Sequence, residues 1–247
     1  MPHAGFRSHT PLRPMLDAIR QPWDRLLHGA SRRTADGKIY LGQGQPVMVF
    51  PVYGGGPAST ARLRNVLDQA GFTSYDWGQG IDKGPGELGL SHCVRRLEEQ
   101  IIDAFETERS PITLVGWGLS GIYAREVAKR ATPLVRQVIT LSTPFNFSVP
   151  GQRPCSMLRA LQDKQGLMGP AVAQRLRQRP PVPCTSIYSM SDRAVPWQMC
   201  LETESLMSEN ILVSAANHTH LGEHPEVLEV ITHRLAQPEE RWRPFDA

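Results

Sequence analysis

Several features that would define a function class at once are absent from this sequence. Its 247 residues contain no apolar run of transmembrane length. Residues 1–20 carry prolines and arginines and lack the apolar core of a signal peptide, so we expect a cytoplasmic protein. The formal net charge is only +3, and no basic stripe with interleaved aromatic residues occurs, which argues against nucleic acid as a partner.

Cysteine is scarce as well, and the few cysteines are widely spaced. The four are Cys93, Cys155, Cys184 and Cys200. Their spacing does not match a metal-binding pattern, and in a reducing compartment we expect free thiols. A bridge between Cys155 and Cys184 is the alternative for an exported protein.

Short apolar runs alternate with amphipathic segments along most of the chain. Strands are predicted at residues 47–52, 72–77, 112–115, 135–142, 185–190 and 211–214. Helices are predicted at residues 59–70, 91–108, 122–129 and 225–235. The alternation indicates an α/β protein with a mostly parallel sheet flanked by helices. Residues 12–27 have helical spacing, so we expect an N-terminal helical extension over residues 1–45 and one main domain over residues 46–247.

The segment 112–129 combines an apolar strand, a Gly-rich corner and an amphipathic helix. The corner is Gly116-Trp117-Gly118-Leu119-Ser120-Gly121. Glycines are expected where a turn is strained and where strand and helix backbones approach closely. The stretch resembles the nucleophile elbow Gly-Trp-Ser-Leu-Gly-Gly of bacterial lipase- and esterase-like members of the α/β-hydrolase superfamily.

This register places Gly118 where the family has its nucleophilic serine, and Ser120 two residues later. Ser120 as the nucleophile is the alternative. The β-branched Ile122, two residues after it, would crowd such a turn, so Gly118 is favoured as the tip.

The resemblance also implies the remaining parts of a hydrolase site. The strand and Gly-rich loop at residues 47–57 correspond to the oxyanion segment, which implies the backbone amides of Tyr53 and Leu119 as the oxyanion hole. Asp192 follows a predicted strand and matches the family's triad acid, and His218 matches its histidine. The chain order of elbow, acid and histidine is that of the family.

A metal site is the competing interpretation of the histidine loop. His218, His220 and His224 lie close together with Glu223. His224 directly precedes Pro225 at a predicted helix start, so the three histidines are poorly spaced for one ion. We expect neither a metal nor another cofactor.

Residues 146–183 interrupt the alternation of strands and helices and are predicted to be a cap over the elbow. The apolar side chains expected to bind substrate are Met157, Leu158, Leu161 and Trp197, and Met168 is a further candidate for the cavity wall. The alternative is a plain surface excursion that these side chains anchor to the core.

Gly118 has no side chain and cannot form an acyl-enzyme. Three explanations are compatible with it: a natural non-hydrolytic binding protein, an active serine enzyme altered at this position, or a hydrolase that uses water activated by His218. The lineage implies a carboxylic ester hydrolase that acts on or binds a small hydrophobic ester or acyl ligand. The alternative is a catalytically silent protein that binds a ligand or partner. The sequence indicates no particular oligomeric state.

Overall fold

The computed structural model describes residues 32–33, 39–147, 155–161, 169–214, 217–238 and 242–245. The helix predicted over residues 12–27 lies outside the described residues. The described strands are β1 (Arg32–Arg33), β2 (Ile39–Tyr40), β3 (Pro46–Phe50), β4 (Thr73–Asp76), β5 (Ile112–Trp117), β6 (Val135–Leu141), β7 (Cys184–Tyr188) and β8 (Ser208–Leu212). The described α-helices are α1 (Pro57–Gln69), α2 (Gly89–Glu108), α3 (Leu119–Arg130), α4 (Pro170–Arg177) and α5 (Pro225–Ala236).

Strands β3 to β8 form one six-stranded sheet in the order β4-β3-β5-β6-β7-β8. Every neighbouring pair in this sheet is parallel. Strands β1 and β2 pair antiparallel in a separate two-stranded sheet. The predicted α/β class, with a parallel sheet and flanking helices, is confirmed.

The largest difference in strand boundaries concerns β8, which was predicted over residues 211–214 and begins at Ser208. Ser208 and Glu209 interrupt the apolar pattern but are both buried. The Glu209 carboxylate accepts hydrogen bonds from Arg234 at 3.0 Å and from Thr185 at 2.7 Å. Buried polar side chains with such partners are compatible with a buried strand at the edge of the sheet, which a purely apolar pattern does not detect.

The region predicted to be a cap contains a 3₁₀-helix at Ser156–Leu161 in the described residues. Helix α3 begins at Leu119, three residues before the predicted start, because it follows the Gly118 turn directly.

Side chains of β5 fill the core on both faces of the sheet. All six residues of this strand are buried. Leu114 packs in the apolar cluster with α2 and α3, whereas Val115 packs in the cluster with α1 and α5. Successive residues of a strand point to opposite faces, so a strand covered by helices on both sides is a continuous apolar run.

The buried guanidinium group of Arg125 holds the connection between β6 and β7 against α3. Arg125 on α3 forms a buried ion pair with Glu202 and lies 3.7 Å over the ring of Phe145. It also donates a hydrogen bond to the carbonyl of Gln178, just after α4, at 3.2 Å. Helix α4 is therefore held against the helix that begins at the Gly118 turn.

The carboxyl ends of β3, β5, β7 and β8 lie at one edge of the sheet. The residues that follow them include Tyr53, Gly118, Asp192 and His218. In parallel sheets, ligand sites form at this edge. Within the described part of the chain, no helix is both long and apolar enough to cross a membrane.

Candidate functional site

The turn between β5 and α3 is formed by Gly118, with φ 61° and ψ −123°. L-residues rarely adopt this conformation, which glycine tolerates without a Cβ penalty. The Gly118 N–H donates to the carbonyl of Leu141 at 2.8 Å, so the turn is fixed to the end of β6.

Glycines on either side of the turn permit a close approach of backbones. A Cβ built on Gly116 would stand 2.4 Å from the Cα of Gly121. A Cβ built on Gly121 would stand 1.9 Å from Oγ1 of Thr143. The predicted close packing of strand on helix is confirmed at Gly116, whereas the missing side chain of Gly121 makes room for Thr143, which follows β6.

Asp192 and His218 are in direct contact. The Nδ1 of His218 lies 2.8 Å from Oδ2 of Asp192, and the Asp192 side chain is 1% exposed. The other carboxylate oxygen accepts hydrogen bonds from the amides of Ala194 at 2.8 Å and Val195 at 3.1 Å. Burial alone would raise the pKa of Asp192, but the hydrogen bond and charge of His218 outweigh it and hold the pKa below its ordinary value. The predicted contact is present, and its catalytic role stays a prediction.

The far side of the His218 ring faces Gly118. A Cβ built on Gly118 would stand 2.7 Å from Nε2 of His218 and 3.7 Å from the sulfur of Met157. Among the described residues, Nε2 has no hydrogen-bond partner although it is buried. The imidazole therefore reaches into the space that a side chain at position 118 would fill.

Trp117, for which the sequence pattern predicted no role, joins the Gly118 turn to the histidine loop. Its indole N–H donates to the backbone carbonyl of His218 at 2.9 Å. A Cβ built on Gly222 would stand 2.6 Å from the Trp117 ring, so this loop packs tightly on the indole. A buried tryptophan usually requires an acceptor for its N–H. A tryptophan in a buried strand therefore indicates a hydrogen bond to another segment, and this feature of the sequence could have revealed the role of Trp117.

Ser120 is buried in the first turn of α3. Its hydroxyl donates to the carbonyl of Pro51 at 2.6 Å and accepts from the amide of Trp117 at 3.2 Å. It makes no hydrogen bond to Nε2 of His218. Ser120 thus links the end of β3 to the Gly118 turn, and this geometry does not support it as a nucleophile aligned with His218.

The two residues expected to supply oxyanion amides follow adjacent strands. Leu119 is the first residue of α3, where a helix amide has no intrahelical acceptor. Tyr53 lies in the turn after β3, where the Gly55 amide donates to the carbonyl of Val52 at 2.8 Å. The residue Tyr53 is 42% exposed. Convergence of the two amides on one ligand oxygen stays a prediction.

The predicted substrate-binding side chains occupy different surroundings. Met157 is adjacent to Gly118, as given above. Leu158 is buried, and Leu161 is partly buried against the same apolar cluster. Trp197 stacks on Tyr188, with ring centroids 5.8 Å apart, at the end of β7. Met168 lies outside the described residues.

All four cysteines are free thiols. In the part of the chain that the structure describes, no three side chains of His, Cys, Asp or Glu are grouped so as to hold a metal ion.

Solved structures similar to this chain share its architecture. A monoacylglycerol lipase of Paleococcus ferrophilus is 16% identical, with a TM-score of 0.56, over 78% of this chain and 96% of that one. A lipase-esterase related protein of Clostridium acetobutylicum ATCC 824 is 16% identical, with a TM-score of 0.54, over 78% and 93%. A structure from work on the metagenome-derived lipolytic enzymes LipS and LipT is 15% identical, with a TM-score of 0.54, over 73% and 88%.

These similarities establish the fold: the chain has the α/β-hydrolase fold. No protein-family model matches it, and no curated protein sequence does.

Proposed function

We propose that this protein, of serine esterase and lipase lineage, binds a small hydrophobic ester or carboxylic acid beside Gly118 without forming an acyl-enzyme. The observation that carries the proposal is the position of His218. Its Nε2 is buried, has no hydrogen-bond partner among the described residues, and lies where a nucleophile's side chain would begin. The names of the similar structures, lipases and lipase-esterase related proteins, favour an ester or acyl ligand.

In this proposal the ligand oxygens contact three groups. One oxygen accepts hydrogen bonds from the amides of Tyr53 and Leu119, which act as a fixed pair of dipoles. A second oxygen accepts a hydrogen bond from Nε2–H of His218 when the imidazole carries a proton on each nitrogen, with Nδ1–H donating to Asp192. A covalent acyl-enzyme cannot form because Gly118 has no nucleophilic side chain.

The apolar part of the ligand extends towards the connection between β6 and β7. The proximity of Met157 to Gly118 supports this direction. Residues 146–183 then act as the cap of a single domain over residues 46–247, with Leu158, Leu161 and Trp197 as further ligand contacts. A cytoplasmic location is part of this proposal.

Slow hydrolysis by water is a second candidate function, and the Asp192–His218 pair favours it. A histidine oriented by a carboxylate is the arrangement of a general base. Nε2 is buried against Gly118, however, so the ring has to withdraw before either water or a ligand oxygen reaches it. Binding without turnover is the better-supported function because Gly118 supplies no nucleophile.

Calorimetric titration of acids against alcohols of equal length tests the binding function. Butanoate, hexanoate and octanoate would be compared at pH 7 with butanol, hexanol and octanol. We expect at least one acid to bind about tenfold or more tightly than its alcohol, because the alcohol lacks the carbonyl oxygen. Equal affinity for acid and alcohol throughout the series would contradict recognition of the acyl group.

His218→Ala should weaken binding of the acid about tenfold, since it removes the hydrogen-bonding Nε2. His220→Ala is the matched control, because His220 is an exposed histidine in the same loop whose Nδ1 bonds Asn217. Equal losses of affinity in both variants would contradict a contact between His218 and the ligand. Turnover of p-nitrophenyl esters that disappears in His218→Ala alone would favour the second candidate.

A further inference from the structure

Asp82 is a buried acidic residue that the proposed binding function does not use. It lies in the loop between β4 and α2 and is 1% exposed. Its backbone amide donates to the carbonyl of Gly55, and its carbonyl accepts from the amide of Gly54, both at 2.8 Å. The backbone of Asp82 is therefore paired with the turn that contains Tyr53.

The side chain of Asp82 also contacts α3, the helix that follows the Gly118 turn. Its Oδ1 accepts a hydrogen bond from the amide of Gly84 at 2.9 Å and lies 3.4 Å from the hydroxyl of Tyr123. Tyr123 is buried on α3, the helix that begins at Leu119, and its ring stacks on Trp77. A single residue thus joins the loop of Tyr53 to the helix of Leu119.

The same loop also packs against the connection between β6 and β7. A Cβ built on Gly84 would stand 2.9 Å from the Cβ of Ala160 and 3.8 Å from Cε2 of Tyr53. The Asp82 loop therefore meets both the Tyr53 turn and the 3₁₀-helix that carries Met157.

The carboxyl of Asp82 is incompletely satisfied. Among the described residues, Oδ2 has no hydrogen-bond partner. Burial raises the pKa of Asp82 to about 6, although the hydrogen bonds from Gly84 and Tyr123 oppose the shift. The titratable side chains around this group are Tyr123 on α3, Cys93 on α2 and Tyr53 in its turn. Burial, followed by the Asp82 charge, raises the pKa values of Tyr123 and Cys93, so both stay neutral at physiological pH.

We propose that Asp82 is a positioning residue of the Gly118 site, which holds the Tyr53 turn against α3 and lets the site bind a carboxylate tightly only while Asp82 carries its proton. This inference rests on the proposed binding function. An ionised Asp82 would add a negative charge on the loop that is paired with the Tyr53 turn. Two like unit charges about 10 Å apart, at an effective dielectric constant of about 20, repel enough to lower affinity about tenfold. A neutral ligand does not experience it.

Binding of hexanoate and hexanamide between pH 5.5 and 7.5 tests the charge effect. We expect the affinity for hexanoate to fall about tenfold more than that for hexanamide as the pH rises. In Asp82→Asn, which keeps the size and the Oδ1 acceptor, this extra fall should become smaller, because the charge of Asp82 no longer contributes to it. Asp76→Asn, an acidic residue in the same region whose side chain bonds the Gly78 amide, is the matched control and should keep it. Equal pH profiles in the natural chain and Asp82→Asn would overturn the proposal.

Amide resonances measured without ligand test the positioning role of Asp82 independently of ligand binding. The amide resonances of Tyr53 and Leu119 should titrate with a common midpoint near pH 6, and Asp82→Asn should abolish that step. Tyr123→Phe keeps the charge but removes the link to α3, so it should reduce the Leu119 response and retain the Tyr53 response. Titration of these amides with no binding of hexanoate would refute the binding function alone. Amide resonances that do not respond to Asp82 would refute its positioning role.

Discussion

Replacement of Gly118 by serine would test directly whether this site lacks only its nucleophile. A hydroxymethyl group at this position would carry Oγ towards His218, where the ring nitrogen could act as its base. We expect Gly118→Ser to raise kcat/KM for short and medium acyl esters at least tenfold over the natural chain. Gly118→Ala is the matched control, since it adds the same Cβ without a hydroxyl.

The structural cost of the substitution has two sources. The turn has φ 61°, where a non-glycine residue costs about 1–3 kcal/mol. The added Cβ would also stand 2.7 Å from Nε2 of His218, so the imidazole has to withdraw by about 0.7–1 Å to reach ordinary contact. A domain of ordinary stability, about 5–15 kcal/mol, remains folded after such a loss.

Unfolding in urea and hydrolysis of p-nitrophenyl acetate, butyrate and octanoate would be measured on all three proteins. The serine and alanine variants should lose similar stability, whereas only the serine variant should gain activity and react with a fluorophosphonate. Ser120→Ala should change activity little in the Gly118→Ser background. The reasoning is refuted if the serine and alanine variants are folded and equally inactive. It is also refuted if Ser120→Ala abolishes an activity of the natural chain that Gly118→Ser leaves unchanged.

Three further predictions concern stability. Ser120→Ala should lower the free energy of unfolding by about 1–3 kcal/mol, because the buried carbonyl of Pro51 loses its donor; a loss near zero in urea titrations would contradict this. Arg125→Met should cost about 3–5 kcal/mol by leaving Glu202 buried and unpaired, and adding Glu202→Leu should recover much of that loss; additive losses in the double variant would refute the pairing argument. Because the folded pKa of Asp192 is depressed, its contribution to stability is present above its unfolded pKa and is lost as the pH falls through the folded value. Urea midpoints of the natural chain should therefore fall more steeply in acid than those of Asp192→Asn.

The sequence by itself determined the sheet, the order of its elements and the position of the turn. Apolar runs separated by amphipathic segments have one compact solution, a parallel sheet covered by helices on both faces. The glycines at 116, 118 and 121 fixed the corner, because each marks a close approach or a backbone angle that side chains resist. The resemblance of the turn, acid and histidine to those of the hydrolase family, in the same chain order and at strand ends, predicted the contact between Asp192 and His218.

Only the tertiary structure determined what surrounds these residues. Ser120 could be a nucleophile in the sequence, and its hydroxyl proves to bond Pro51, which is 69 residues away along the chain. The roles of Trp117 and Asp82 likewise depend on partners from distant segments, and no local pattern encodes such pairings. The sequence did not indicate which side chain fills the space beside Gly118. It is occupied by the His218 ring because Asp192 and Trp117 together hold the histidine loop against the turn.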